Sequence, residues 1–340
     1  MQSSAAGVLL LVVAGIVNAS FSLPMKFTRK WAWENTWLVF SVFGLIALPL
    51  VTAPATVPAL GSVYREAGGR IIFEVSAFGA GWGVAQVLFG LAIDAIGIAL
   101  AFSIVLGLSA ALGSLIPLIW LHPDKILSPA GFADMGGVLL VVAGVSVCAV
   151  AGRMRERLQA AGTNAPRRIS VSRGLTFAVV SGICAALMNF GVAFGGPLIA
   201  AASAAGAKPQ WAINSVWLPL MIAGAVPNIL YCIRLLRRDG TSSNFSQNGT
   251  GSYWLLALVM AVFWFGSTLM YGVATTKLGA LGPVIGWPLF MSLIVITASV
   301  LGVLTGEWSN TGAKPLGIQF AGVFILVVAV VVLSRASLYV

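Results

Sequence analysis

Six neutral amide and indole side chains lie within long apolar segments of the sequence and are well suited to bind a ligand. Amides bond the hydroxyl groups of a neutral polyhydroxylated ligand, while flat aromatic rings stack on its C–H faces. Packing roles stay open as well, because tryptophans form interfacial belts in membranes and asparagines bond helices to one another. The six candidates for substrate binding are Asn18, Trp82, Gln86, Asn189, Trp264 and Trp287.

Ionisable side chains are scarce in the apolar segments. Such groups are costly inside a membrane and commonly mark function, which makes Glu74 and Asp94 our candidates for carrying a proton. An interfacial role for Glu74 and a turn or helix-cap role for Asp94 stay open. Glu34 and Glu307 lie in predicted loops, where pairing with lysine is the plainer role, and the only histidine, His122, is predicted to be a loop residue.

This scarcity argues against several classes of function. An intramembrane enzyme needs paired carboxylates, a metal cluster or a nucleophile with its base, and the apolar segments contain no such pattern. We therefore predict no enzymatic activity, no metal site and no cofactor. The net charge of +10 could suggest nucleic-acid binding. Because the basic residues cluster in predicted cytoplasmic loops, we predict no nucleic-acid partner.

The elements that must position these residues are membrane spans. Hydrophobic residues make up 59% of the chain, charged residues only 8%, and the mean hydropathy is +1.00. A soluble domain carries about 25% charged residues, whereas a span needs about 20 mostly apolar ones. The sequence therefore predicts an all-α integral membrane protein. Its ten predicted spans are Ala5–Leu23, Thr36–Thr52, Ile71–Ile93, Ala95–Leu121, Gly136–Ala151, Leu175–Phe194, Trp211–Ile233, Tyr253–Ala274, Leu278–Leu304 and Leu316–Leu333.

One pattern occurs twice, which indicates internal duplication of the kind found in many secondary transporters. It reads tryptophan, then aromatic-glycine-aliphatic-alanine, then aliphatic-glycine, and its copies begin 182 positions apart. We expect a first five-helix repeat at 1–152, a cytoplasmic linker at 153–173 and a second repeat at 174–340. Because five is an odd number of spans, the repeats are expected to be inverted. The glycines of the two copies are our candidates for gating hinges: Gly90, Gly97, Gly272 and Gly279.

Lysine and arginine accumulate in cytoplasmic loops, so their distribution predicts the orientation. The odd-numbered loops hold thirteen of these residues, while the even-numbered loops and the C-terminus hold six. The odd loops are therefore predicted to be inside and both termini outside. We call the predicted cytoplasmic side inner and the opposite side outer.

Several short stretches, in order along nearly the full chain, carry a resemblance to a known family. The chain resembles the L-rhamnose–proton symporter family of the drug/metabolite transporter superfamily, whose fold is two inverted five-helix repeats. The resemblance implies import of a neutral sugar such as L-rhamnose, or a similar deoxyhexose or pentose, coupled to protons by alternating access. It also implies the bacterial inner membrane as the location, so that both termini are expected in the periplasm. The stretches are Pro24-Met25-Lys26, Lys30-Trp31-Ala32-Trp33-Glu34, Phe78-Gly79-Ala80-Gly81-Trp82-Gly83, Gly182 to Phe190, Gly286-Trp287, Met291-Ser292 and Glu307 to Pro315.

Two positions depart from the pattern expected of enterobacterial members. Asp94 stands where a basic residue is expected, and Gln86 stands where asparagine is expected, which could retune the choice of sugar. An exporter of the drug/metabolite type, a uniporter of another small metabolite and a membrane scaffold or receptor without transport activity stay open as alternatives. The expected partners are a sugar, protons and the lipid bilayer, and a monomer is expected.

Overall fold

The computed structural model describes residues 2–159, 170–309 and 311–338, and within these ranges all regular structure is helical. Among the described residues, ten segments are long and apolar enough to cross a membrane, which confirms the predicted class and number of spans. Large side chains such as Phe73, Leu139 and Phe324 are exposed, as expected of surfaces that contact lipid. Spans 1 to 10 are Ser4–Phe27, Trp33–Thr56, Gly69–Ile96, Ile98–Leu121, Pro129–Gln159, Val171–Ala204, Asn214–Asp239, Gly251–Lys277, Gly282–Leu304 and Ala313–Ala336.

Three spans change helix type or direction along their length. Span 2 contains a π-helical turn, a feature that is frequent at functional sites, and Gly44 of this turn packs against Ala261 of span 8. Span 6 is broken twice, and Pro197 occupies the first turn of its last helix, where a missing N–H costs nothing. The segments of spans 1, 2 and 6 are Gln2–Ser20 and Leu23–Phe27; Trp33–Ser41, Val42–Ala47 and Leu48–Thr56; and Val171–Ala185, Leu187–Phe194 and Gly196–Ala204.

Three short helical segments lie between the spans, at Leu60–Ala67, Pro123–Lys125 and Thr241–Ser246. The first of them is fixed to span 7, because the Tyr64 hydroxyl donates a hydrogen bond of 3.0 Å to the carbonyl of Ser215. Burial raises the pKa of the Tyr64 phenol well above its usual value, so this hydroxyl remains a donor.

Several predicted boundaries are wrong, and in each case a polar residue was excluded from a helix that contains it. Span 3 runs through Asp94 to Ile96, whereas the sequence placed Asp94 in a hairpin turn. Span 5 begins at Pro129 and not at Gly136. The predicted linker at 153–173 is partly helical, because span 5 continues to Gln159 and span 6 begins at Val171; its remaining part, 160–169, lies outside the described residues.

The spans pack in a set of neighbouring pairs. Span 3 packs on spans 6 and 7, and span 8 packs on spans 1 and 2. Span 4 packs on spans 5 and 6, and span 9 packs on spans 10 and 1. Spans 3 and 4 are in contact, as are spans 8 and 9. Three further pairs join the two halves of the chain: spans 2 and 7, spans 4 and 9, and spans 5 and 10.

Candidate substrate site

Trp82 of span 3 and Trp264 of span 8 stack on each other in the protein interior. Their ring centroids are 5.4 Å apart and their planes differ by 24°. The residues are only 5% and 9% exposed. Among the described residues neither indole N–H has a hydrogen-bond partner. Neither indole nitrogen is completely enclosed by protein atoms. The repeat unit of the sequence therefore brings together two aromatic faces and two available donors.

Close contact between spans 3 and 7 sets the position of Trp82. A Cβ atom added to Gly79 would lie 2.0 Å from the carbonyl oxygen of Leu220, and one added to Gly83 would lie 2.3 Å from that of Gly224. A Cβ atom on Gly224 would in turn meet the Trp82 ring at 2.7 Å. Because small residues let helix backbones approach, the ring of Trp82 lies directly over span 7.

Asn228 stabilises the contact between spans 3 and 7, and it was not identified from the sequence. Its side-chain N–H group donates to the carbonyl oxygens of Gly83, at 3.3 Å, and Gly224, at 3.0 Å. Its Oδ1 accepts a 3.0 Å hydrogen bond from the indole of Trp37 on span 2. Asn228 thus joins three spans beside the stacked tryptophans, and its hydrogen-bonding capacity is used within the protein.

An aromatic cluster on span 2 continues toward the same centre. The rings of Trp33 and Trp37 stack at 5.1 Å, and Trp37 lies 4.8 Å from Phe40. Phe40 meets Trp264 edge to face at 6.0 Å. Trp33 is exposed at the start of span 2, so the rings form a line from that end of the span to the stacked tryptophans.

Gln86 and Asn18 are the predicted amides that keep unused hydrogen-bonding capacity. Gln86 lies one turn beyond Trp82, is half-buried, and has no hydrogen-bond partner among the described residues. The Asn18 side-chain N–H group donates to the Ser267 hydroxyl at 2.8 Å, and Ser267 donates to the Trp264 carbonyl at 2.6 Å. Oδ1 of Asn18 accepts no hydrogen bond from any described residue.

Asn189 and Trp287 belong to a second cluster, which also contains Tyr271. The Asn189 side chain is fully buried and donates to the carbonyl oxygens of Gly113, at 2.7 Å, and Pro283, at 2.9 Å. Its Oδ1 accepts from the Tyr271 hydroxyl. The Trp287 indole donates to the Ser109 carbonyl at 3.0 Å. In this conformation both residues join spans 4, 6, 8 and 9 through protein contacts, so their predicted sugar-binding roles stay predictions.

The two clusters lie at different depths of the membrane. Tyr271 follows Trp264 by seven residues on span 8, which is about 10 Å along a helix. Two cavities, of about 190 and 370 Å³, lie elsewhere; the smaller is between spans 4, 5, 9 and 10, and the larger is beside Gly97. Neither cavity is lined by Trp82 or Trp264.

The four candidate hinge glycines occupy different environments. Gly97 and Gly279 have φ values of +86° and +79°, a region that side-chain-bearing residues rarely adopt. Gly272 faces Trp217 and Ile213, while Gly90 has no neighbouring atom where a Cβ would be. Their gating role stays a prediction, although the two positive-φ glycines do mark the sharp turns between consecutive spans.

Glu156, which the sequence did not reveal as important, closes the turn at Gly97. Its Oε1 accepts a 2.9 Å hydrogen bond from the backbone N–H of Ala99, in the first turn of span 4. The other carboxylate oxygen, Oε2, would lie only 2.6 Å from a Cβ atom added to Gly97. An acidic side chain at a helix N-terminus is favourable, so Glu156 holds the end of span 5 against the start of span 4.

The predicted proton-carrying carboxylates both lie at the surface. Glu74 pairs with Arg70 at 2.7 Å near one end of span 3, and Asp94 is exposed near the other end. Glu34, expected in a loop, is buried in the first turn of span 2 and accepts from Thr241. Asp94 lies within the last turns of span 3 rather than in a turn or at a helix cap. The coupling roles of Glu74 and Asp94 stay predictions.

Glu307 forms an ionic cluster at the inner end of the protein. It pairs with Lys26 at 3.2 Å and with Arg155 at 3.1 Å, and Arg155 also lies 5.0 Å from the Trp308 ring. Because Lys26 ends span 1, Arg155 ends span 5 and Glu307 follows span 9, this cluster connects three spans. The predicted pairing of Glu307 with lysine is present in the structure.

Asp134 is an intramembrane carboxylate that the sequence analysis missed. It lies in span 5, is fully buried, and accepts a 2.7 Å hydrogen bond from the Ser114 hydroxyl. The sequence analysis began span 5 at Gly136 and therefore placed Asp134 in a loop. The signal that could have revealed it is Pro129, since proline is favoured in the first turn of a helix and thus indicates an earlier start.

Comparison with known proteins identifies the family. A family model described as L-rhamnose-proton symport protein (RhaT) matches residues 2–337. The chain belongs to the L-rhamnose–proton symport protein family. A protein named L-rhamnose-proton symporter from Mannheimia succiniciproducens is 30% identical over 318 residues, covering 92% of each chain. Proteins of that name from Klebsiella pneumoniae subsp. pneumoniae and Cronobacter sakazakii are both 28% identical, covering 97% and 95% of this chain and 98% and 95% of their own lengths.

Membership of a symporter family, together with ten apolar spans, makes the chain a multi-pass membrane protein. Within 2–159, 170–309 and 311–338 no group of three or more His, Cys, Asp or Glu side chains could hold a metal ion. What this member of the L-rhamnose–proton symport protein family presents at its centre is neutral: two indole rings with available N–H groups and two nearby amides. Such groups bind an uncharged polar ligand without requiring a counter-ion.

Proposed function

We propose that the chain imports L-rhamnose, or a similar deoxyhexose or pentose, across the bacterial inner membrane together with protons. Its family and the names of relatives that align with nearly the whole chain support this assignment. The structural observation that carries it is the stacked pair of Trp82 and Trp264, because their faces and free N–H groups suit the two kinds of surface on a sugar.

Sugar binding in this proposal separates the two tryptophan rings. At a centroid distance of 5.4 Å the rings leave no room for a third ring between them, so movement of a side chain or of a helix must separate them. Contact between the two indole rings is then replaced by stacking of the rings on the C–H faces of the sugar. Gln86 and Oδ1 of Asn18 bond its hydroxyls, since both groups lack protein partners in the described part of the chain.

Alternating access in this proposal arises from two inverted five-helix repeats, 1–152 and 174–340, connected through 153–173. This is the arrangement of the drug/metabolite transporter superfamily, in which we place the family. The packing of the spans supports it: contacts of span 3 with 6 and 7 have counterparts in contacts of span 8 with 1 and 2, and contacts of span 4 with 5 and 6 match those of span 9 with 10 and 1. Inverted repeats place the substrate between the halves.

Two closures separate the proposed site from the two sides of the membrane. Asn189, Tyr271 and Trp287 form the outer closure, and their contacts join spans 4, 6, 8 and 9. The Glu307 cluster with Lys26 and Arg155 forms the inner closure. Both are formed in this conformation, which corresponds to an occluded state. Turns at the positive-φ glycines allow the paired spans to tilt during the exchange.

The orientation completes the proposal. With odd loops inside, the N- and C-termini lie in the periplasm, and the Glu307 cluster faces the cytoplasm. A single chain encloses the tryptophan pair with its own spans, which supports a functional monomer.

Sugar counterflow in proteoliposomes tests the transport assignment. Vesicles preloaded with unlabelled L-rhamnose should transiently accumulate labelled L-rhamnose, and a panel of unlabelled monosaccharides outside should rank the accepted sugars by competition. Alanine at Trp82 or Trp264 should abolish this exchange. Alanine at Trp120 is the matched control, because that indole is 75% exposed at the end of span 4.

The possible results distinguish the alternatives. The proposed site is supported if the parent protein and Trp120→Ala both exchange sugar and if Trp82→Ala or Trp264→Ala does not. Exchange of some other metabolite but no sugar would identify another transporter of the same fold. Equal exchange by all three variants would place the sugar away from the tryptophan pair.

A further inference from the structure

We propose that Asp134 is the side chain that binds and releases the transported proton. The inference rests on the proposed function, since it requires that a proton moves with the sugar. It assigns coupling to a residue of span 5 that lies outside the tryptophan pair and differs from both surface carboxylates predicted from the sequence.

The geometry around Asp134 favours a neutral carboxyl group. Its Oδ2 accepts the 2.7 Å hydrogen bond from Ser114, and its Oδ1 is completely enclosed without any partner among the described residues. A buried carboxylate needs several donors or a cation to offset its lost hydration. Ser114 supplies one donor only, so the form that this packing accommodates is the neutral, protonated carboxyl group.

Charged groups on the elements packed against span 5 do not compensate Asp134. Spans 4 and 9 contain no Asp, Glu, Lys, Arg or His. Span 10 has Lys314 at its inner end and the exposed Arg335 at its outer end, and neither forms an ion pair with Asp134 in the described structure. In the turn between spans 4 and 5, the titratable side chains are His122, Asp124 and Lys125, and the last two pair with each other. The remaining charged or thiol side chains of span 5 lie farther along it: Cys148, Arg153, Arg155, Glu156 and Arg157.

Asp134 is near enough to the outer side to exchange a proton with it. It follows Pro129, the first residue of span 5, by five residues, which is about 7 Å along a helix. Water entering at that end of span 5 would reach the unpaired Oδ1 after a small separation of spans 4 and 5. In the packed conformation the same oxygen is sealed, so the proton is trapped.

Ser114 connects Asp134 to the outer closure. Its neighbour Gly113 provides the carbonyl that accepts from Asn189, and Asn189 in turn accepts from Tyr271. A Cβ atom on Gly113 would lie 2.5 Å from the Trp287 ring, so this part of span 4 cannot shift without disturbing the closure. An ionised Asp134 would therefore hold the outer side open, and proton binding would let it close over the sugar. This order is the one that symport requires.

Asp134→Asn tests the inference because it keeps the shape and an oxygen acceptor for Ser114 but cannot release a proton. In proteoliposomes with an inwardly directed proton gradient, the variant should lose concentrative uptake while retaining counterflow at any pH. Asp124→Asn is the matched control: it makes the same change at an exposed carboxylate in the turn between spans 4 and 5, and its uptake should equal that of the parent.

The outcomes separate this inference from the proposed function. Accumulation by Asp134→Asn equal to that of the parent overturns the assignment of Asp134, whereas a parent protein without counterflow overturns the proposed function itself. If Asp134→Asn does not fold, infrared spectroscopy of the parent and Ser114→Ala replaces it. We expect a carboxylic-acid band that disappears as pH rises and shifts in Ser114→Ala. Absence of a band sensitive to Ser114→Ala would overturn the assignment equally.

Discussion

Substituting alanine for Gly83 tests whether backbone contact between spans 3 and 7 positions Trp82. The new Cβ would lie 2.3 Å from the Gly224 carbonyl oxygen. Carbon–oxygen contacts between helices are about 3.3–3.6 Å, so the two spans must separate by about 1 Å. Overpacking of this kind costs about 1–3 kcal/mol. Because the same movement lifts the Trp82 ring from Gly224, we expect lower thermal stability in detergent and weaker sugar binding together.

Gly90→Ala is the matched control for this experiment. Gly90 lies two turns further along the same span, and no atom lies within 4 Å of its added Cβ. Alanine is favoured over glycine in a helix by about 0.5–1 kcal/mol, so this variant should be as stable as the parent or slightly more stable. Thermal unfolding with and without sugar measures both properties. If Gly83→Ala and Gly90→Ala behave alike, contact between spans 3 and 7 does not position the tryptophan.

Two further predictions concern the sugar contacts and the inner closure. Gln86→Ala should weaken sugar binding by about 5- to 150-fold, since leaving a buried hydroxyl of the sugar unpaired costs about 1–3 kcal/mol; calorimetry would measure this, and an unchanged Kd would remove Gln86 from the site. Glu307→Gln removes the charge that holds Lys26 and Arg155. Cys148, which lines the adjacent cavity, should then react faster with a thiol reagent in a background where the other two cysteines are serine, and an unchanged rate would contradict the closure.

The sequence predicted the spans and the tryptophan pair because both depend on local or repeated patterns. Apolar runs of membrane length identify spans without knowledge of their neighbours. Trp82 and Trp264 were found because the pattern that contains them occurs twice, and they occupy the same position in its two copies. Their direct stacking depends on how spans 3 and 8 approach, which no local pattern encodes.

The missed residues act through partners far away along the chain. Asn228 bonds span 3 and span 2, and Glu156 bonds the first turn of span 4, 57 positions earlier. Asn189 was identified as a polar group inside the membrane, but its partners on spans 4, 8 and 9 were not predictable from its own segment. Asp134 was missed for a different reason: hydropathy places a charged residue outside a span even when a helix buries it.

Sugar-driven proton movement tests the central claim most directly. Proteoliposomes are held in weak buffer without an initial proton gradient, and L-rhamnose is added outside. The account predicts that the external medium becomes more alkaline on addition, that a protonophore abolishes the signal, and that Asp134→Asn does not produce it. Rhamnose entry by the parent protein without any change in external pH would contradict the account.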